Sequence, residues 1–125
     1  MKYTEITLKL TEANEDEKCF EIYADGTKVG TIEILTGYED DFTDVSSYCY
    51  VERIDIDEEF RGNGIGTEVL THTLYNTCGW ECRDVICAPD NEDAQRLYER
   101  IGSVVSGDIS RVFGDYDQGF DVYVI

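Results

Sequence analysis

Apolar and polar residues alternate along the first part of the chain. Tyr3-Thr4-Glu5-Ile6-Thr7-Leu8-Lys9-Leu10 has a period of two, and so does Lys18-Cys19-Phe20-Glu21-Ile22-Tyr23-Ala24. Each run predicts a strand with one face toward a core. Glu12 to Glu17 reads as a short acidic turn between them. Asp25-Gly26 is a hairpin signal, and Lys28 to Leu35 is the returning strand. Gly37 to Ser47 reads as a loop in which Glu39, Asp40, Asp41 and Asp44 are interleaved with Tyr38 and Phe42. A fourth strand is predicted from about Tyr48 to Ile56, ending at the acidic turn Asp57-Glu58-Glu59.

The period then changes. Thr67 to Cys78 predicts a helix whose buried face carries Ile65, Val69, Leu70, Leu74 and Cys78, with Gly79 as its stop. Asp84-Val85-Ile86-Cys87-Ala88 is a short apolar run, as in a strand buried on both faces, and Pro89 ends it. Asp90 or Asn91 caps a second helix, with Ala94, Leu97, Tyr98 and Ile101 on one face and Gly102 as its stop. Two closing strands are predicted near Val104 to Val112 and Phe120 to Ile125. The order β-β-β-β-α-β-α-β-β implies a mixed sheet with helices packed on it, an α/β or α+β class.

The candidate chemistry lies between the fourth strand and the first helix, in Arg61-Gly62-Asn63-Gly64-Ile65-Gly66. A helix start leaves backbone N–H groups without partners and attracts anions. Glycines let a phosphate approach that backbone. The loop is not a P-loop, because no lysine follows the glycines. It is not a dinucleotide fingerprint either, because its spacing is G-x-G-x-G. A glycine-rich turn with no ligand remains the plain alternative.

Composition narrows the choice. A chain of 125 residues is the size of one domain. No apolar run is long enough to cross a membrane, and the first residues lack the apolar core of a signal peptide. With five cysteines, an odd number, the reading is reduced thiols and a cytoplasmic location. Cys78, Cys82 and Cys87 do not have a zinc-finger spacing, and His72 is the single histidine, so no metal is expected. His72 reads as structural.

The 28 acidic and 10 basic residues give a net charge of −18, which excludes direct binding to a nucleic-acid backbone. The acid either serves solubility, steers a basic acceptor such as a polyamine or lysine-rich protein, or mimics nucleic acid toward a basic partner. Adaptation to high salt is a weaker option, which the many Ile, Tyr and Cys do not obviously fit.

Two separated segments carry a family resemblance. Arg61-x-x-Gly64-x-Gly66 resembles the pyrophosphate loop of the GNAT-type N-acetyltransferases. Asn91-x-x-Ala94-x-x-Leu97-Tyr98-Glu99-x-x-Gly102 resembles their second signature, at a distance typical of that family. The resemblance covers about Val51 to Gly102 closely. It implies a GNAT-like mixed, mostly antiparallel sheet of about seven strands with two main helices, and an acetyl-CoA-dependent N-acetyltransferase. By resemblance, Ile54, Asp55 and Ile56 pair with the pantetheine arm. Arg61, Gly62, Asn63, Gly64, Ile65 and Gly66 hold the pyrophosphate, Asn91 contacts the cofactor arm, and Tyr98 protonates the departing thiolate. Plain core packing is the alternative role for Tyr98.

The chain also departs from the family pattern. Thr11 to Glu17 is too short for the two helices that usually wall the acceptor site, which implies an open site suited to a macromolecular acceptor. Ser103 stands where an aromatic residue is usual. Val85, Ile86 and Cys87 offer no carboxylate before Asn91, so the general base is sought on the fourth strand. Glu52 is the first choice, because alternation places it on a face with Ile54 and Ile56. Asp55 is second, and a surface role for Glu52 stays open. Cys87 has no histidine placed to make it a nucleophile. The rival to an enzyme is a non-catalytic acidic binding module on the same fold. Acceptor identity and oligomeric state are left open.

Overall fold

The computed structural model describes residues 3–14, 17–40, 45–79, 84–87, 92–104 and 123–124. Among the described residues, seven strands form one sheet: β1 (Ile6–Ala13), β2 (Glu17–Ala24), β3 (Thr27–Asp40), β4 (Val45–Ile56), β5 (Asp84–Cys87), β6 (Ser103–Val104) and β7 (Tyr123–Val124). Their order is β1-β2-β3-β4-β5-β7-β6; among these pairs β4–β5 is parallel and the rest are antiparallel. The expected mixed, mostly antiparallel sheet is therefore the observed one. Between β4 and β5 the chain makes a 3-10 turn (Glu58–Phe60), then α1 (Ile65–Glu68), a π-helical segment (Val69–Thr73) and α2 (Leu74–Cys78). Helix α3 (Glu92–Ile101) connects β5 to β6.

The two crossovers lie on one side of the sheet. Strands β5 and β6 run parallel to each other, since both are antiparallel to β7. Both connections step in the same direction across the sheet, so right-handed crossovers put both helices on one face. Accordingly α1 and α3 touch. Phe20, Ile22 and Ala24 of β2, Ile32 and Ile34 of β3, and Val51 of β4 are buried on that face. Ile65, Val69, Leu70, Leu74 and Tyr98 close the core from the helices. The alternation in β2 and β3 leaves Glu17, Cys19, Glu33 and Leu35 on the opposite face, half-buried.

Several elements differ from expectation. Strand β1 runs to Ala13, which pairs with Lys18, so the β1–β2 connection is a tight hairpin. Asn14 closes it: the Glu17 amide donates to Asn14 Oδ1 at 2.8 Å. No helix fits in this connection, as its length implied. Gly37 to Ser47 is not a loop: Tyr38 pairs with Tyr48 and Asp40 with Val45, leaving 41–44 outside the described residues. The acidic residues there hid a strand pair, because backbone pairing does not require apolar side chains on both strands. The first helix begins at Ile65 rather than Thr67. It also slips into π geometry, with the Leu74 amide reaching Val69 O. Thr71 and Thr73 hydroxyls donate to Thr67 O and Glu68 O at 2.6 and 3.3 Å, so they compete for the helix's own acceptors. His72 is exposed and lies 3.2 Å from Glu68 across one turn, a surface contact.

Strand β3 passes very close to β4 at one point. Gly30 opposes Ile56, and a Cβ at position 30 would collide with the carbonyl oxygen of Asp55. That obstacle is backbone in mid-sheet and cannot rotate away. Gly30→Ala is therefore expected to lower unfolding free energy by about 1–3 kcal/mol, as overpacking does. Chemical denaturation checks it, and an unchanged midpoint would show that the two strands are farther apart than described.

Candidate functional site

Strand β4 outlasts its neighbour. Strand β5 pairs with Tyr48, Cys49, Tyr50 and Val51, and the last pair is Val51 with Cys87. Beyond it, residues 52–56 keep β3 on one side but have no described strand on the other. Apart from Ile56 O, which accepts from Arg61, that outward edge has no strand partner among the described residues and is open to an extended ligand, as a strand edge is.

The chain then turns at once into the glycine loop. Gly62 and Gly64 have φ of 78° and 79°, a region that side chains with a Cβ avoid. The Arg61 amide closes the 3-10 turn on Glu58 O, and the Glu68 amide is the first to close back on the helix, on Gly64 O at 3.0 Å. Among the described residues, no hydrogen bond uses the amides from 62 to 67. These donors gather where the helical run from Ile65 to Cys78 begins. Gly66 has a different function: it lies inside α1, and a Cβ there would sit 3.2 Å from Leu97 Cδ2. It lets α1 approach α3.

Two side chains hold the loop in shape. Arg61 Nε donates to Ile56 O at 2.8 Å, and an Arg61 terminal nitrogen lies 3.6 Å from Asp55 Oδ1. Asn63 Nδ2 donates to Phe60 O at 2.9 Å and to Arg61 O at 3.3 Å. The sequence pattern assigns both residues to the ligand. In the structure their side chains are already committed to the loop itself.

The strand edge, the loop and one helix enclose a cleft of about 450 Å³. Ile54, Asp55 and Ile56 form one wall, and Arg61, Gly62, Gly64, Ile65 and Gly66 form the floor. All but Asn63 of the residues from 54 to 56 and 61 to 66 assigned to the ligand thus come together. The opposite wall, Leu97 and Arg100 of α3, is not marked as a site by the sequence, nor are Phe60 and Thr67. Arg100 follows Leu97 by three positions, which places both on one helical face. Asn91 lies outside the described residues. Tyr98 is only 2% exposed and packs in the core, while its neighbour Leu97 faces the cleft.

Glu52 stands at the fork itself, but not on the expected face. Glu33 pairs with Arg53 while Ile34 pairs with Val51, so Glu52 is an extra, bulged residue. The bulge resets the alternation. Val51 and Ile54 both oppose buried residues, and Glu52 has Glu17 and Glu33 of the other face as electrostatic neighbours. Burial, and then repulsion from Glu17 and Glu33, raise its carboxyl above the ordinary carboxylate range. Its Oε1 is buried with no hydrogen-bond partner among the described residues. Asp55, the second candidate base, is held between Arg53 at 3.7 Å and Arg61 at 3.6 Å.

Comparison with known proteins agrees with this geometry. A family model described as the acetyltransferase (GNAT) family matches residues 2–102. N-alpha-acetyltransferase 30 of Homo sapiens is 31% identical over 74 residues, which are 58% of this chain and 20% of that protein. The chain thus spans about a fifth of the length of the curated relatives it matches. An acetyltransferase structure from Thermus thermophilus superposes with a TM-score of 0.59 at 16% identity, covering 90% of this chain and 66% of that one. A GNAT family acetyltransferase from Elizabethkingia anophelis with acetyl-CoA bound superposes with a TM-score of 0.58 at 12% identity, covering 96% and 97%. These structures share the fold.

The glycines can be ranked by experiment. Gly64 has open space around its Cβ position, so Gly64→Ala meets only the backbone penalty, about 1–2 kcal/mol. Gly66→Ala meets a flexible leucine end and gains helix propensity, so its cost is smaller. Denaturation of the ligand-free variants gives the order, and a larger loss at Gly66 would contradict the loop geometry.

Proposed function

The chain belongs to the acetyltransferase (GNAT) family, and we propose that it transfers an acetyl group from acetyl-CoA to an amine. One observation carries this reading: the edge of β4 that no described strand pairs, and residues 62 and 64 to 67, whose amides bond to nothing among the described residues, line the same cleft. The pantetheine arm bears amides that suit a strand edge. The pyrophosphate suits converging N–H donors at a helix start. The residues present therefore fit the ligand.

The fork supplies the rest of the chemistry. An acceptor ammonium gives one proton to Glu52, directly or through water. Its nitrogen lone pair then forms a bond to the thioester carbonyl carbon. As the tetrahedral adduct collapses, the C–S bond breaks and the sulfur keeps the electron pair. By resemblance to the family's second signature the thiolate takes its proton from Tyr98, whose side chain packs in the core next to cleft-lining Leu97, and the surplus proton on the new amide nitrogen returns to the phenolate through water. Glu52 suits the base because its buried oxygen has no partner among the described residues, whereas Asp55 already has two.

The acceptor is a basic amine, on a lysine-rich or otherwise basic protein or a polyamine. The net charge of −18 attracts such a group. The short β1–β2 hairpin adds no helix over the face that carries Glu17, Glu33 and Glu52. The name of the curated relative, an N-alpha-acetyltransferase, is in keeping with a protein acceptor.

Acetyl transfer to a lysine-rich peptide, followed across pH, tests the proposal. The wild-type kcat/KM should fall as pH drops through the raised pKa of Glu52, because only the ionised form accepts a proton. Glu52→Gln should lower kcat by about 10²–10⁴-fold, the usual range for a general base, and flatten that limb. It also removes a like charge beside Glu17 and Glu33, so lost activity will not reflect lost fold. Full activity in the variant would remove Glu52 from the mechanism. CoA binding without turnover on any amine would favour the acidic binding module instead.

A further inference from the structure

The sheet has a long edge away from the cleft. Strand β1 pairs with β2, and among the described residues no strand lies along its other side. The hairpin turn shows which backbone groups face that way. The Asp25 amide donates to Glu5 O at 2.8 Å, and the Glu5 amide donates to Asp25 Oδ1 at 2.8 Å, so the backbone of Glu5 points inward. Antiparallel pairing alternates, which turns Thr7 and Lys9 toward β2 and leaves the N–H and C=O groups of Ile6 and Leu8 pointing outward. Residues 6–11 hold no carboxylate and one lysine, in a chain of net charge −18. Leu10 is 51% exposed there, whereas Ile6 and Leu8 pack against the core.

We propose that β1 pairs antiparallel with β1 of a second copy of this chain, with Ile6 opposite the partner's Leu8 and Thr7 on the two-fold axis. The outward groups bond only if Ile6, Leu8 and Leu10 fall opposite even-numbered positions of the partner. Charge selects among those registers. Centring the pair on Ile6 or Leu8 sets both charged residues opposite uncharged ones, and centring it on Lys9 sets two ammonium groups face to face. Centring it on Thr7 sets Glu5 opposite the partner's Lys9 and Lys9 opposite the partner's Glu5, a self-complementary pair of contacts. Both side chains are available. Among the described residues, neither the Glu5 carboxylate nor the Lys9 ammonium has an ion pair, and Glu21, across from Lys9, is taken by Lys28 at 3.3 Å and Tyr23 at 3.2 Å. Leu10 then lies diagonal to the partner's Ile6 on the face that bears the helices. The bulge at Thr11 falls beyond the paired stretch, and no cleft-lining residue lies on β1. The plain alternative is that Lys9 and the bulge guard the edge against pairing, which predicts a monomer at every concentration.

The test is sedimentation of the full chain across protein concentration, with hydrogen exchange of its backbone amides. It is run at physiological ionic strength, where repulsion between two acidic copies is screened beyond about 8 Å. One strand edge is a small contact, so the wild type should form a weak dimer in the micromolar range. The Ile6 and Leu8 amides should gain protection as it forms. Glu5→Lys alone and Lys9→Glu alone should each weaken the dimer about tenfold or more, because like charges then face each other at both ends. Mixing these two variants restores opposite charges at both ends, so the mixture should associate about as tightly as wild type. A purely structural role for either side chain would give no such rescue. A wild type that stays monomeric up to millimolar concentration overturns the proposal. So does a mixture no tighter than its components, or a dimer that leaves the Ile6 and Leu8 amides unprotected.

Discussion

Backbone N–H and C=O groups need partners, and among the described residues no strand pairs with β4 on its β5 side after Val51. The described pairs of β5 with β4 run from Tyr48–Asp84 to Val51–Cys87, while β4 continues to Ile56. The rest of the site follows from that fork. The free edge forms one wall of the cleft, and the glycine loop begins five residues after the edge ends. Arg61 then ties the loop back to Ile56, the final residue of the edge. The two ends of the cleft are thereby fixed relative to each other before any ligand arrives. Such preorganisation lowers the ordering cost of binding.

The same sheet separates two kinds of chemistry. Its helix-bearing face is a dry apolar core, in which α1 and α3 approach closely because Gly66 has no side chain. Its other face gathers carboxylates: burial and then Glu17 and Glu33 raise Glu52, and burial and then Glu33, Glu17 and Glu12 raise the thiol of Cys19. The bulge at Glu52 joins the two faces. It brings a carboxylate with a buried, unpartnered oxygen to the point where β4 and β5 part. A donor ligand held along the β4 edge and a cationic acceptor drawn to the acidic face would meet there.

Much of this is legible in the residues. Period-two runs mark β1, β2, β3 and β4, and the glycine spacing marks the loop with nearly all its cleft-lining positions. What escapes has physical causes. Strand pairing at Tyr38 and Asp40 satisfies the backbone, and an acidic composition does not forbid it. The bulge is visible only indirectly: Val51 and Ile54 are three apart, which breaks the strict alternation that would put Glu52 beside Ile54. The π segment depends on threonine hydroxyls competing with backbone donors, which apolar spacing does not record. Leu97 and Arg100 escape because helical spacing alone does not say that their face meets the glycine loop. Asn91, one of the two signature side chains on the second segment, lies outside the described residues.

The central claim is that the β4 edge and the glycine loop form one CoA-binding surface. Titrating the isotopically labelled protein with CoA and following its backbone amide resonances tests this most directly. The account predicts that the largest, saturable shifts fall on the amides of 62–67 and on residues 52–56. Saturable binding with shifts confined to β1 and β2, leaving the loop amides unmoved, would contradict it.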